Sequence, residues 1–315
     1  MGIFTQFKTY IVALLVAISG TLLLTQMGVV DPHQSIYLPT NFPWLGFIVG
    51  GLIFGIGMVF AGGCATRILV RVGEGNLGAL IAVLGFNITA GSALGGHLAY
   101  ANEYLFRKFT ISLPSSSIPE LLGINPWILV GVLAVGAAAW IIMTKKSDEF
   151  LSSSWPLVSL AVGLLVVAGW YVTGTANSKI MADEFLAMDA NVVSSFRPAS
   201  LTFAKPNADF FMYTATATGS SVDFGIATVL GVVLGSLLAA LLSKSFHWVA
   251  PTGSQSFLGY LIGGLLMGFG AIIALGCNIG QGLTGMSVLG LGALITIIFI
   301  LLGSWVGIWL QEKLS

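Results

Sequence analysis

The chain has 315 residues, of which 56% are hydrophobic and only 8% charged, and its formal net charge is zero. A soluble domain carries about 25% charged residues, so a chain of mean hydropathy +0.97 cannot cover itself with polar surface and belongs in a bilayer. The charge balance excludes a nucleic-acid footprint or a polybasic lipid site, and two cysteines are too few for a disulfide framework.

In chain order, the first apolar run, Tyr10 to Val30, follows a short head bearing Lys8. It is long for the core of a signal peptide and no small-residue cleavage site follows it, so it reads as a retained span. Eight apolar stretches are expected as helices, at about 9–30, 45–62, 77–100, 126–143, 156–174, 224–243, 257–276 and 288–310. Each approaches the ~20 residues that cross the hydrocarbon core. None alternates as the strands of a membrane β-barrel do. The expected fold is an all-α integral membrane protein, one membrane domain over 1–315.

Short-loop Lys and Arg residues set orientation. Lys8, Arg67, Arg71, Lys145, Lys146, Lys244 and Lys313 fall on one side after eight alternating crossings. That side is read as the cytoplasm, with both termini inside. Arg107 and Lys108 fall on the other side and oppose this orientation. The connection 175–223, with Lys179, Asp183, Glu184, Asp189, Arg197, Lys205 and Asp209, is then external. It reads as a polar surface loop, with a solute-facing vestibule as the alternative.

The chain repeats itself. "VGGLIFGIGMVFAGGCAT" (Val49–Thr66) aligns without gaps on "IGGLLMGFGAIIALGCNI" (Ile262–Ile279), and "GALI" recurs at 78–81 and 292–295. Copy one is expected over about 45–100 and copy two over about 257–310. Three spans lie between them, which inverts the second copy. Inverted repeats are a recurring plan of secondary transporters, with the solute site at the repeat interface.

The glycines divide into two classes. Gly46 with Gly50, Gly51 with Gly55, Gly259 with Gly263 and Gly264 with Gly268 have the spacing of close helix packing. Gly62, Gly63 and Gly276 directly precede the cysteines and are expected to break the helix there, as are Gly280, Gly282 and Gly285 beyond Cys277. A helix broken inside the membrane is tolerated only when buried or lining a wet path. Its free N–H groups favour anions.

Cys64 and Cys277 occupy matched places in the two copies. They read as inert small core residues, as a disulfide, or as thiols facing a permeation path. A thiol is a weak donor and a soft, polarisable group, suited to a solute with exposed sulfur. Arg67, three residues after Cys64, shares its face if the helix continues and would attract an anion. Arg71 reads as a cytoplasmic anchor or a second anion contact. Glu74 reads as a loop carboxylate paired with Arg71, or as part of the path. Asn278 and Gln281 are the polar residues of the second hairpin and would hydrogen-bond a solute. Asn87 and Thr89 would bond across helices.

His33, His97 and His247 have no metal-ligand spacing, and no cofactor is expected. No chain of intramembrane carboxylates and no nucleotide-binding loop occurs, so neither proton-relay pumping nor self-driven ATP hydrolysis is indicated.

"FPWLGFIVGGLIFGIGMVFAGGCAT" followed by "VGEGNLGAL", and later "GGLLMGFGAIIALGCNIGQGL", resemble the YeeE/YedE family of bacterial sulfur-compound transporters. The resemblance runs from about Phe42 to the C-terminus, with little from 110–220. It implies an inner-membrane permease, not an enzyme, with two pseudo-symmetric halves. It also implies that Cys64 and Cys277 pass thiosulfate along by S–H contacts with its terminal sulfur. It implies a small TusA-like sulfur carrier as cytoplasmic partner. Family members usually carry a further cysteine in an N-terminal hairpin, which this chain lacks. The expected function is uptake of a small sulfur-containing anion, above all thiosulfate, along a path of Cys64, Cys277, Arg67, Gly63, Gly276, Asn278, Gln281 and Glu74. A thiol/disulfide redox protein, carriage of a selenium-containing or other sulfur compound, and a non-catalytic membrane subunit are the alternatives.

Overall fold

The computed structural model describes residues 3–143, 154–179, 197–216, 223–251 and 257–314. It is almost wholly helical. In chain order the helices are α1 (Ile3–Gln26), α2 (Trp44–Phe60), α3 (Ala65–Gly73), α4 (Leu77–Gly95), α5 (His97–Ala101), α6 (Ile118–Leu122), α7 (Pro126–Met143) and α8 (Trp155–Lys179). They continue with α9 (Lys205–Thr216), α10 (Phe224–Leu242), α11 (Phe257–Ile273), a π-helical turn at Gly280–Gly285, and α12 (Leu291–Leu314). Asn41–Phe42 pair antiparallel with Ile111–Ser112, Asn41 opposite Ser112.

Among the described residues, seven helices are long and apolar enough to cross a membrane. The remaining expected segment, 257–276, forms the shorter α11, of 17 residues. The protein is therefore an all-α, multi-pass membrane protein. α2 and α3 together make a 30-residue apolar run, about 45 Å at 1.5 Å per residue and too long for one straight crossing. The break at residues 61–64 resolves this excess. Lys145, Lys146, Asp183, Glu184 and Asp189 lie outside the described residues.

The chain divides into two compact units. The first comprises Met1–Thr40, Leu113–Leu201 and Leu283–Leu291. In it α1 lies against α8, and the approach is set by glycine. A Cβ on Gly163 would stand 2.7 Å from the Ala13 carbonyl, and one on Gly174 2.8 Å from that of Val29. Trp170, fully buried on α8, donates Nε1–H to Ser287 Oγ at 3.0 Å. Ser287 donates to the Thr284 carbonyl at 2.7 Å, and Thr284 to that of Leu201 at 2.6 Å. Ser200 donates to the Val166 carbonyl at 2.6 Å. These bonds satisfy polar groups that would otherwise be costly to bury.

The second unit comprises Asn41–Ser112, Thr202–Gly282 and Gly292–Ser315, and it holds both cysteines. α2 and α11 touch backbone to backbone. A Cβ on Gly50 would lie 2.8 Å from the Gly270 carbonyl, and one on Gly270 2.7 Å from that of Gly50. Gly57 and Gly263 repeat this reciprocal contact at 2.7 and 2.8 Å. Outward from this pair, Gly51 and Gly55 abut α12 at Thr296 and Ile300, while Gly264 and Gly268 abut α4 at Ala82 and Phe86. Gly78 faces the Tyr260 ring, and Gly292 the Phe47 ring. The packing expected of the GxxxG glycines is present at all of them except Gly259, which has open space around it.

α4 starts at Asn76, whose side chain accepts from the Ala79 N–H at 2.8 Å, and α10 at Asp223, which accepts from Ile226 at 2.8 Å. Both are standard N-cap chemistry. Thr89 bonds across helices as expected, donating to the Leu265 carbonyl of α11 at 2.8 Å. Asn87 does not: it is buried and its Oδ1 has no hydrogen-bond partner. Residues read as part of a polar connection are inside the protein: Ser200, Thr202, Phe203, Ala204, Asn207 and Ala208 are all buried. Asn207 donates to the Phe203 carbonyl at 2.7 Å.

Candidate functional site

Both cysteines follow helix stops of the same design. α2 ends where Gly62 turns to φ +72°. The Gly62 N–H reaches the Val59 carbonyl at 3.2 Å and the Gly63 N–H reaches Met58 at 2.9 Å. α11 ends where Leu275 turns to φ +57°. The Leu275 N–H reaches Ile272 at 3.3 Å and the Gly276 N–H reaches Ala271 at 2.8 Å. Each is a Schellman stop, with the left-handed residue one place after the cap. Glycine adopts that conformation freely. Leucine pays roughly 1–2 kcal/mol, strain of a kind that concentrates at functional positions.

Two residues later the chain starts helix again, with a cysteine at the boundary. Cys64 is the N-cap of α3 and makes no side-chain capping bond, so the first N–H groups of α3 lack a capping side chain. Cys277 caps the second hairpin with its own sulfur, which accepts from the Gly280 N–H at 3.3 Å. The backbone amides of Phe203 and Ile279 also act on that sulfur. Cys277 is 1% exposed in the main hydrophobic cluster, and Cys64 is half-buried. Both are free thiols within the same compact unit. The disulfide reading therefore does not describe this structure.

The other expected residues divide. Gly63 and Gly276 each leave room for a side chain of the helix that follows. A Cβ on Gly63 would stand 2.8 Å from Arg67 Cδ, and one on Gly276 3.0 Å from Gln281 Cγ. Arg67 thus folds its stem over the turn beside Cys64 and keeps an exposed head. Gln281 is buried and its Nε2 donates to the Ala274 carbonyl at 2.6 Å. Asn278 is half-buried directly after Cys277.

Glu74 is not brought to the thiols. It is the exposed C-cap of α3, at the far end of that helix from Cys64. Nor does it pair with Arg71, which donates Nη1–H to the Gly62 carbonyl at 3.1 Å and Nη2–H to the Tyr260 hydroxyl at 3.5 Å. The physical reason is that the α2 stop leaves a part-buried carbonyl in reach of the guanidinium, a stronger demand than an exposed carboxylate that water already satisfies. One participant escaped the sequence reading, the Tyr260 hydroxyl. A lone Tyr in an apolar helix reads as core.

The arrangement offers soft thiols beside backbone N–H donors and, on the Cys64 side, a cationic head. That combination suits an anion carrying an exposed sulfur atom. Among the described residues no group of His, Cys, Asp and Glu is placed to hold a metal ion.

Comparison with known proteins agrees with this chemistry. The thiosulfate transporter TsuA of Escherichia coli (strain K12) is 33% identical over 304 residues, covering 95% of this chain and 83% of that protein. The thiosulfate transporter TsuA of Spirochaeta thermophila is 29% identical over 314 residues, covering 96% and 87%. The probable transporter YedE of Escherichia coli is 34% identical over 79 residues, covering 25% and 20%. The family described as sulphur transport matches residues 1–306, and the chain belongs to that family of membrane transporters.

Proposed function

We propose that this protein imports thiosulfate across the bacterial inner membrane, handing the anion between Cys277 and Cys64. The observation that supports this best is the pair of free thiols, each at the restart of a broken helix that ends in the same left-handed turn. Thiosulfate has two faces: a soft terminal sulfur and a set of hard, charged oxygens. Thiols meet the first and backbone N–H groups the second. Dehydrating a dianion is very costly unless fixed donors replace its water. The amides at the start of α3, which no side chain caps, supply donors without fixed charge, so the anion is also released. The exposed head of Arg67 draws the anion toward Cys64.

The reading extends to the architecture. Residues 45–100 and 257–310 form an inverted repeat about the α2–α11 contact, with both termini in the cytoplasm. The reciprocal contacts Gly50–Gly270 and Gly57–Gly263 support it, because each pair becomes the other when the copies are exchanged. So does the left-handed residue at the same place in both turns, Gly62 and Leu275. A TusA-like sulfur carrier receives the sulfur on the cytoplasmic side.

The test is uptake of labelled thiosulfate by cells stripped of their own sulfate and thiosulfate importers, with unlabelled competitors. The expected result is uptake that excess thiosulfate suppresses and excess sulfate leaves unchanged, since sulfate has the oxygens without the soft sulfur. Equal suppression by sulfate would refute recognition through sulfur. Absence of uptake would refute the thiosulfate assignment.

A further inference from the structure

The cysteines lie on turns, and a turn between two helices holds its shape only if something fastens it. We propose that Arg71 and Gln281 are positioning residues that latch the two Gly-Cys turns from the helices that follow, and that neither binds the anion. The inference deepens the reading above and rests on it for the identity of the anion.

The two latches match. In the first hairpin Arg71 Nη1–H donates to the carbonyl of Gly62, the left-handed residue of the α2 stop. In the second, Gln281 Nε2–H donates to the carbonyl of Ala274, the residue before the left-handed Leu275. Each bond runs from the element after the cysteine to the end of the helix before it, and so closes a loop around Cys64 or Cys277. A helix C-terminus leaves carbonyls without intrahelical partners, and burial makes them costly. The side chains that satisfy these carbonyls also fix the angle at which the next helix departs.

Both latches are themselves held. Arg71 Nη2–H reaches the hydroxyl of Tyr260, a buried residue of α11 whose ring lies against Gly78 of α4. Gln281 is 1% exposed and passes directly over Gly276, where a Cβ would stand 3.2 Å from its Nε2. With its amide nitrogen donating to Ala274, Gln281 acts on the turn rather than on a solute. The guanidinium of Arg71 is likewise committed on two of its nitrogens.

The test compares Arg71→Gln, Arg71→Lys and Gln281→Met with wild type, all purified as monodisperse protein, by two measurements. The first is thiosulfate uptake resolved into KM and maximal rate. The second is the rate of Cys64 and Cys277 alkylation by a maleimide, read per site by mass spectrometry and needing no transport. Displacing a reacting group by about 1 Å costs up to ~100-fold. Arg71→Gln is therefore expected to lower the maximal rate roughly 10-fold or more with KM within about 2-fold, and to change Cys64 alkylation several-fold. Arg71→Lys, which keeps one donor, recovers part of both. Gln281→Met does the same as Arg71→Gln, with the change at Cys277. A rise in KM at constant maximal rate, with alkylation unaltered, would make these residues anion ligands and overturn the proposal. If wild type carries no thiosulfate, the transport reading fails alone and alkylation decides: a changed rate supports the latches, an unchanged one refutes them.

Discussion

Replacing Cys277 by serine is expected to abolish uptake and leave the fold in place. The site is nearly closed, with Cys277 1% exposed and its sulfur accepting the Gly280 N–H at 3.3 Å. A serine hydroxyl fits the same volume and accepts the same N–H, so the capping role survives at a cost of about 1 kcal/mol, the usual size for one substitution. What serine lacks is the polarisable sulfur. Its hydroxyl is a harder and stronger donor that prefers oxygen and water, and the match to a terminal sulfur is lost. Uptake should fall by at least about 100-fold, read as loss of maximal rate, with the thermal midpoint in detergent within a few degrees of wild type. Cys64→Ser should behave alike, since the anion passes both thiols. An active Cys277→Ser protein of normal stability would show that the sulfur serves packing alone.

The second large effect is on the fold. Gly57→Ala should prevent accumulation of folded protein, whereas Gly235→Ala should be accepted. The two glycines belong to apolar helices of similar length, 17 residues for α2 and 19 for α10. Their surroundings differ. A Cβ on Gly57 would stand 2.6 Å from the Met267 amide nitrogen and 2.7 Å from the Gly263 carbonyl. Both are backbone atoms of α11, so no side chain can turn aside and the helix must retreat. Overpacking a tight contact costs about 1–3 kcal/mol, and here the movement also spreads the reciprocal Gly50–Gly270 contact and the turns beyond it. Gly235 has no heavy atom within 4 Å of that position, so alanine brings only the better helix propensity, up to about 1 kcal/mol. Membrane levels by blot and thermal unfolding in detergent measure the difference. Equal stability of the two variants would contradict the close contact of α2 and α11.

The helical segments and the cysteine turns were legible in the sequence for local reasons. Each apolar segment declares its own span, and Gly62 and Gly63 announce a stop wherever they fold. Leu275 was not legible alone, because leucine seldom turns left-handed, and only its alignment with Gly62 marks it. The charges of 175–223, Arg197, Lys205 and Asp209 among them, made that segment look like surface. Ser200 and Asn207 find buried carbonyls on Val166 and Phe203, partners far away or set by a local turn. Arg71 and Glu74, three apart, look like a surface pair. The part-buried Gly62 carbonyl redirects the arginine, and that competition exists only once α2 has stopped.

The central claim is contact between the sulfur of thiosulfate and the paired thiols, and protection from alkylation measures it most directly. Purified wild-type protein would be treated with a maleimide in the presence of thiosulfate or sulfate, and Cys64, the more accessible thiol, followed by mass spectrometry. The account predicts that thiosulfate slows Cys64 alkylation in a saturable manner while sulfate at the same ionic strength does not. Alkylation equally fast with and without thiosulfate, or slowed alike by both anions, would contradict it.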